Sequence, residues 1–176
     1  MSEAAPEFSR IVRLDAIGRA RWPAHIEASE AERTALSRRF GFVDITSLEA
    51  DYSLTPDRQG ILATGEVRAS LSQPCVATSE PVTEQVQEAF SIRFVPAEND
   101  LPARTDDEVE IDASELDVVP YTNGRIDIGE AVAETLALSV NPFPRSPNAD
   151  TFLQEAGVLS EDQAGPFAAL AALKNK

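Results

Sequence analysis

The chain has 176 residues, 43% of them hydrophobic, with 15 basic and 30 acidic side chains and a formal net charge of −15. A chain of this size buries a core without metals or disulfides, and its single cysteine excludes an internal disulfide framework. Residues 1–41 hold seven arginines against six carboxylates, a net +1, so the remainder carries −16, which repels phosphate backbones and speeds encounter with basic proteins.

The opening residues are acidic and polar with no apolar stretch, so they do not read as a signal peptide. No run of about 18 apolar residues is present, so no membrane span is expected, and the expected location is cytoplasmic. Phe8 to Asp15 alternates apolar and polar side chains and predicts a strand. Ala16 to Ala28, containing Trp22-Pro23, reads as a connector. Ser29 caps a predicted helix over Glu30–Phe40, with Glu32 at its third position and Gly41 just past its end. From Val43 to Leu54 alternation returns, and a phase slip near Ser47 predicts a bulge. Pro56 to Gly60 is a turn. Ile61 to Leu71 is the next strand, with Leu62, Val67, Ala69 and Leu71 expected to point inward. After a linker over Cys75–Pro81, Val82 to Val95 forms a third long strand. Its Val82, Glu84, Val86, Glu88, Phe90, Ile92 and Phe94 share one face, and the glutamates leave its first half exposed. Three consecutive long strands on short links predict an antiparallel meander.

Glu98 to Asp117 holds nine carboxylates against Arg104, which predicts an acidic loop. Val118 to Tyr121 rejoins the sheet. Asn123-Gly124 supplies the positive φ angles of a two-residue turn. Asp127 caps the following helix, with Glu130 placed as in a capping box. Ile128, Ala131, Val132, Thr135, Leu136 and Ser139 share one helical face, and Pro142 and Pro144 stop the helix. Arg145 to Asp150 is linker-like, and Leu153 to Leu159 forms a helical turn. Pro166 begins a last short helix, with Phe167, Leu170 and Leu173 on one face and Lys174 and Lys176 after them, which either docks on its own core or enters a partner's groove. The expected fold is α+β: a curled, open barrel-like antiparallel sheet of about five strands, two main helices and a short C-terminal helix. Residues 1–160 are read as one domain with the acidic loop 98–117, and 161–176 as a C-terminal docking segment.

No catalytic constellation stands out. His25 is the only histidine, beside Glu27, and no Gly-x-Ser-x-Gly elbow accompanies it, so a solvated or packing role is expected. One cysteine and one histidine cannot supply the four good ligands of a structural zinc site, so Cys75 reads as a small buried or turn cysteine. The acidic segment lacks the spacing of an EF-hand, and no phosphate-binding glycine motif is present. Trp22 reads as a cover for the core. The arginines at 10, 13, 19, 21, 33, 38 and 39 form one basic patch only if the first strand and helix pack together. Arg38 and Arg39 have a structural reason in the helix dipole, but they are also the candidate RNA contacts. The expectation is no enzyme, no cofactor and no metal.

Three segments in order resemble the YceD family, the large ribosomal RNA subunit accumulation proteins. They are Gly124-Arg125-Ile126-Asp127-Ile128 with its acidic helix and proline exit, Leu71-Ser72-Gln73-Pro74-Cys75 followed by Glu80-Pro81-Val82, and the terminal Gly165-Pro166-Phe167-Ala168-Ala169-Leu170-Ala171-Ala172-Leu173-Lys174. The resemblance runs from about residue 60 to the end. Where the family often carries Cys-x-x-Cys, a metal or redox pair, this chain has Ser72 before Cys75, so the pair is missing. The resemblance implies a non-enzymatic factor in large ribosomal subunit biogenesis, supporting 23S ribosomal RNA accumulation or processing. The expected partner is a basic large-subunit ribosomal protein or assembly factor, with the 23S precursor as a second candidate, and the chain is expected to be monomeric. Asp127, Glu130, Phe167, Leu170, Leu173 and Lys174 are the candidate partner-binding residues. The alternative is direct ribosomal RNA binding through the N-terminal arginines.

Overall fold

The computed structural model describes residues 6–97 and 117–158. Within them the elements run β1 (Ile11–Arg13), α1 (Leu14–Ile17), β2 (Ala24–Glu27), α2 (Glu30–Phe40), β3 (Asp44–Pro56), β4 (Ile61–Pro74), β5 (Pro81–Pro96), β6 (Val118–Tyr121), β7 (Arg125–Asp127), α3 (Ile128–Ser139) and α4 (Ala149–Glu155). Most of the 98–117 acidic segment and all of the 161–176 docking segment, with the terminal helix expected from Pro166, lie outside the described residues.

The long strands form the meander expected of them. β3 pairs antiparallel with β4, and β4 with β5, over most of their lengths. A register shift between Ile45 and Ser47 is the bulge that the phase slip predicts. β2 adds to β3 on one side and β6 to β5 on the other, giving a five-stranded sheet in the order β2-β3-β4-β5-β6. The sheet is not closed: β2 and β6 are its two edges. β6 runs parallel to β5, so the sheet is mostly rather than wholly antiparallel. A second ribbon pairs β1 with β7.

Helices cover one face of the sheet. α2 lies on β3, and α3 on β4 and β5. Ile45, Leu48, Val67, Leu71 and Phe94 from the sheet meet Leu36 of α2 and Ile128, Val132 and Leu136 of α3 in one core, which Phe8, Ile17 and Ile126 complete. Phe90 sits opposite Gly65, where a Cβ would lie 2.8 Å from the ring and 2.3 Å from the Asp51 carbonyl; only glycine leaves room there. Trp22 packs against Tyr52 at 5.6 Å between ring centroids and donates its indole N–H to the Ile17 carbonyl.

Four expectations are corrected. The first strand shrinks to β1, because Leu14–Ile17 coil into a helical turn in which Ile17 is buried. The connector over 16–28 contains β2, whose four side chains are too few to show alternation. Leu62 faces outward and half-buried, while Ile61 and Ala63 point in, since strand parity aligns them with Val67. The helical turn placed at Leu153 starts earlier, at Ala149. Among the described residues, no helix is long and apolar enough to cross a membrane.

Candidate docking surfaces

The candidate residue Asp127 sits where three chain segments meet. Its carboxylate caps α3 by accepting from the Gly129 and Glu130 backbone N–H groups. It also accepts from the Ser9 hydroxyl and, at 2.7 Å, from the Arg10 backbone N–H. The N-terminal segment passes so close to α3 that a Cβ on Gly129 would lie 2.5 Å from the Phe8 carbonyl oxygen. Asn123 and Gly124 both have positive φ, as the turn demands, and they deliver the chain from β6 into β7.

Glu130 does not complete a capping box. Its two oxygens accept from both terminal nitrogens of Arg39, at 2.7 and 3.0 Å, and Arg39 also donates to Glu7. Asp127 and Glu130 are thus occupied in holding α3 to the N-terminal segment and α2. Arg39 is occupied too, its guanidinium held charged first by the hydrogen bonds it donates to Glu130. Arg10 binds Glu32 through both terminal nitrogens, and that pairing holds Glu32 at about 2 against the opposing effect of burial. Arg33 donates to the Ala28 and Ile45 carbonyls, and Arg13 pairs with Asp15. Arg38 is exposed on α2 and makes no ion pair with described residues. The N-terminal arginines therefore do not form one basic patch: most are committed to intramolecular partners. Phe167, Leu170, Leu173 and Lys174 lie outside the described residues.

The outer face of the sheet carries a feature that the sequence reading missed. Strand register places Glu27 opposite Glu49, and Asp51 opposite Glu66. Like charges directly opposite one another destabilise a sheet. Arg68 offsets part of this by donating to Glu49, Glu66 and Asp51 together. His25 reaches Asp51 at 2.9 Å, and Gln87 reaches Glu66. Hydrogen bonds from Arg68 and then from His25 hold Asp51 below the usual carboxylate range. Three carboxylates around one guanidinium, with Glu27 beside Glu49, leave this exposed face net negative. The alternation of Glu49, Asp51, Glu66 and Arg68 along β3 and β4 was available in the sequence, but it required the register to show that they meet.

Cys75 is buried in the turn after β4. Its sulfur accepts from the backbone N–H groups of Ala77, Thr78 and Ser146, at 3.4, 3.4 and 3.2 Å. Burial pushes the thiol up, but hydrogen bonds from Thr78 and from the Ser146, Ala77 and Thr78 backbone outweigh it and bring the group to about 6. The sulfur thereby ties the β4–β5 turn to the segment after α3. No group of three or more metal-ligating side chains is present among the described residues. A cavity of about 420 Å³ beside β6 and α3 is lined by Ile11, Val119, Tyr121, Ile126, Glu130 and Glu134 among others, and it includes no cysteine, histidine or serine.

The profile of the family described as "Large ribosomal RNA subunit accumulation protein YceD" matches residues 63–174, well over half of the chain. The chain belongs to the YceD family. The match begins at Ala63 in β4 and takes in the Cys75 turn, β5 to β7, α3, α4 and the terminal segment. The YceD description ties the family to accumulation of large-subunit ribosomal RNA. No curated protein and no solved structure matches the chain.

Proposed function

We propose that this chain is a non-enzymatic factor in large ribosomal subunit biogenesis that supports 23S ribosomal RNA accumulation or processing by binding a basic ribosomal protein or assembly factor. The observation that carries this reading is the outer sheet face, where Glu49, Asp51 and Glu66 surround Arg68 and Glu27 lies opposite Glu49, at a cost to sheet stability. A basic partner relieves that repulsion on binding, and the net charge of −15 steers its approach. The C-terminal segment, with Phe167, Leu170, Leu173 and Lys174, supplies a second, apolar anchor in this reading. The location is cytoplasmic and the free chain is monomeric.

Direct RNA binding through Arg38 and Arg39 is the weaker reading, since Arg39 is held by Glu130 and Glu7. The test is capture of precursor large subunits or isolated large-subunit proteins by the purified chain at low salt. Retention lost in a Glu49→Gln/Glu66→Gln variant supports the acidic face. Retention indifferent to these changes but lost in Arg38→Glu supports RNA contact, and no retention of either class of target overturns the proposal.

A further inference from the structure

We propose that the basic partner is taken as an added β-strand on the outer edge of β2, by an extended segment that alternates cationic and apolar side chains. This rests on the basic-partner reading above and says how that partner is held. An open sheet invites such pairing unless its edges are blocked. The two edges of this sheet differ in that respect. In β6 the Arg93 N–H donates to the Asp117 carbonyl and the Ala97 N–H to the Tyr121 carbonyl, which fixes the residues that face β5. Alternation then turns Val118 and Pro120 outward, and Pro120 has no N–H to give. In β2 the Ala28 N–H donates to the Leu48 carbonyl, so Ile26 and Ala24 also bond to β3, and the backbone groups of His25 and Glu27 point away from it. The Glu27 carbonyl agrees with this direction, since it accepts from the Arg10 guanidinium at 2.9 Å. The β2 edge thus offers the His25 N–H and carbonyl and the Glu27 N–H. Among the described residues no strand pairs with it other than β3.

The side chains at this edge specify the occupant. Successive residues of a strand alternate between the two faces of its sheet. Ile26 joins the core on the helix-covered face, while His25 and Glu27 are exposed on the outer face. A strand laid along the edge sets its own side chains directly opposite these. The position opposite Ile26 takes an apolar residue. The position opposite Glu27 takes a cation, which relieves the unfavourable Glu27–Glu49 pair. The position opposite His25 lies on the same acidic face, with Asp51 at 2.9 Å from the imidazole, and takes a second cation. A second copy of this chain fits poorly, because pairing β2 with β2 brings two acidic faces together in a chain of net charge −15.

Binding of a short peptide alternating lysine and valine to the full chain, read by fluorescence anisotropy, tests this. A copy N-methylated at its lysines keeps every charge but loses the N–H groups that reach the edge, and it is expected to bind roughly tenfold more weakly. His25→Pro removes the matching donor from the protein and is expected to weaken the unmodified peptide by about the same factor. Its thermal melt stays that of the wild type, because the His25 N–H makes no bond to β3. His25→Ala keeps the backbone donor and binds within about twofold of the wild type, since an exposed pair with Asp51 contributes little. Amide exchange followed by NMR locates the contact: the His25 and Glu27 amides exchange roughly tenfold more slowly with the peptide bound. No binding, equal binding of the N-methylated copy, or unchanged exchange at these two amides overturns the proposal. Where His25→Pro fails to fold, the N-methylated copy decides alone. Protection of the two amides in the peptide-free chain assigns the edge to a second copy if sedimentation shows a dimer, or to another segment of this chain if it shows a monomer, and either result overturns the proposal. Retention of large-subunit proteins together with failure of the peptide rejects strand addition and leaves the basic-partner reading standing, so the two failures are distinguishable.

Discussion

The N-termini of α2 and α3 are built from nearly the same letters and use them differently. Each has a capping side chain, a glutamate three residues on, and an arginine that grips that glutamate with two nitrogens. At α2 the glutamate does both jobs: Glu32 takes Arg10 and also reaches back to the Ser29 backbone N–H, closing the capping box. At α3 it does only one. The difference lies in the cap. Ser29 is neutral, whereas Asp127 is a carboxylate that repels Glu130 and turns it toward Arg39. Asp127 in exchange clamps the N-terminal segment, which a serine there would reach poorly. The second helical position follows the same division. It is exposed Ala31 in α2, and buried Gly129 under the Phe8 carbonyl in α3. One N-terminus is a local device, and the other is a long-range joint.

Breaking the joint should cost more than breaking the device. Asp127→Ala removes the cap and the clamp on Ser9 and Arg10, and is expected to cost about 3 kcal/mol in urea unfolding. Asp127→Ser, which keeps the cap alone, should recover about 1 kcal/mol of that. Gly129→Ala drives a Cβ into the Phe8 backbone and should cost about 2 kcal/mol, whereas Ala31→Gly should cost only about 0.5–1 kcal/mol. Ser29→Ala is expected to cost about 1 kcal/mol. The pH dependence sharpens the comparison. Glu32 is held at about 2 against an ordinary 4.5, so its contribution is complete above about pH 4.5 and lost as the pH falls toward 2. Glu32→Gln should flatten acid unfolding in that window. A second pH-dependent contribution is expected at Cys75, lowered from 9 to about 6: it is complete above pH 9 and lost as the pH falls through 6. Thermal melts across that range should lose their slope in Cys75→Ala.

What the sequence revealed follows the same line between local and distant. The α2 capping box, the Gly41 exit, the Asn123-Gly124 turn and the bulge near Ser47 were legible because each is set by residues within a few positions. β2 was hidden because its strand character comes from pairing Ala24–Glu27 with Glu49–Tyr52, not from its own pattern. The parallel sense of β6 was hidden for the same reason, since direction belongs to the pair with β5. Of the candidate partner-binding residues, Asp127 and Glu130 were named from the sequence, but their intramolecular partners Arg10 and Arg39 lie 117 and 91 residues away. The row of carboxylates on the outer sheet face needed the register to bring Glu27 to Glu49 and Asp51 to Glu66.

The β1–β7 ribbon carries a practical warning about excision. Recognisable ancestry begins at Ala63, yet β1, β2, β3 and α2 all precede it. A fragment cut at that boundary would strip β4 of its neighbour, bare the underside of α3 and orphan Asp127 and Glu130. Kinship by sequence and cooperative folding have different borders in this molecule, and a recombinant piece trimmed to the first should emerge as an aggregating or molten polypeptide.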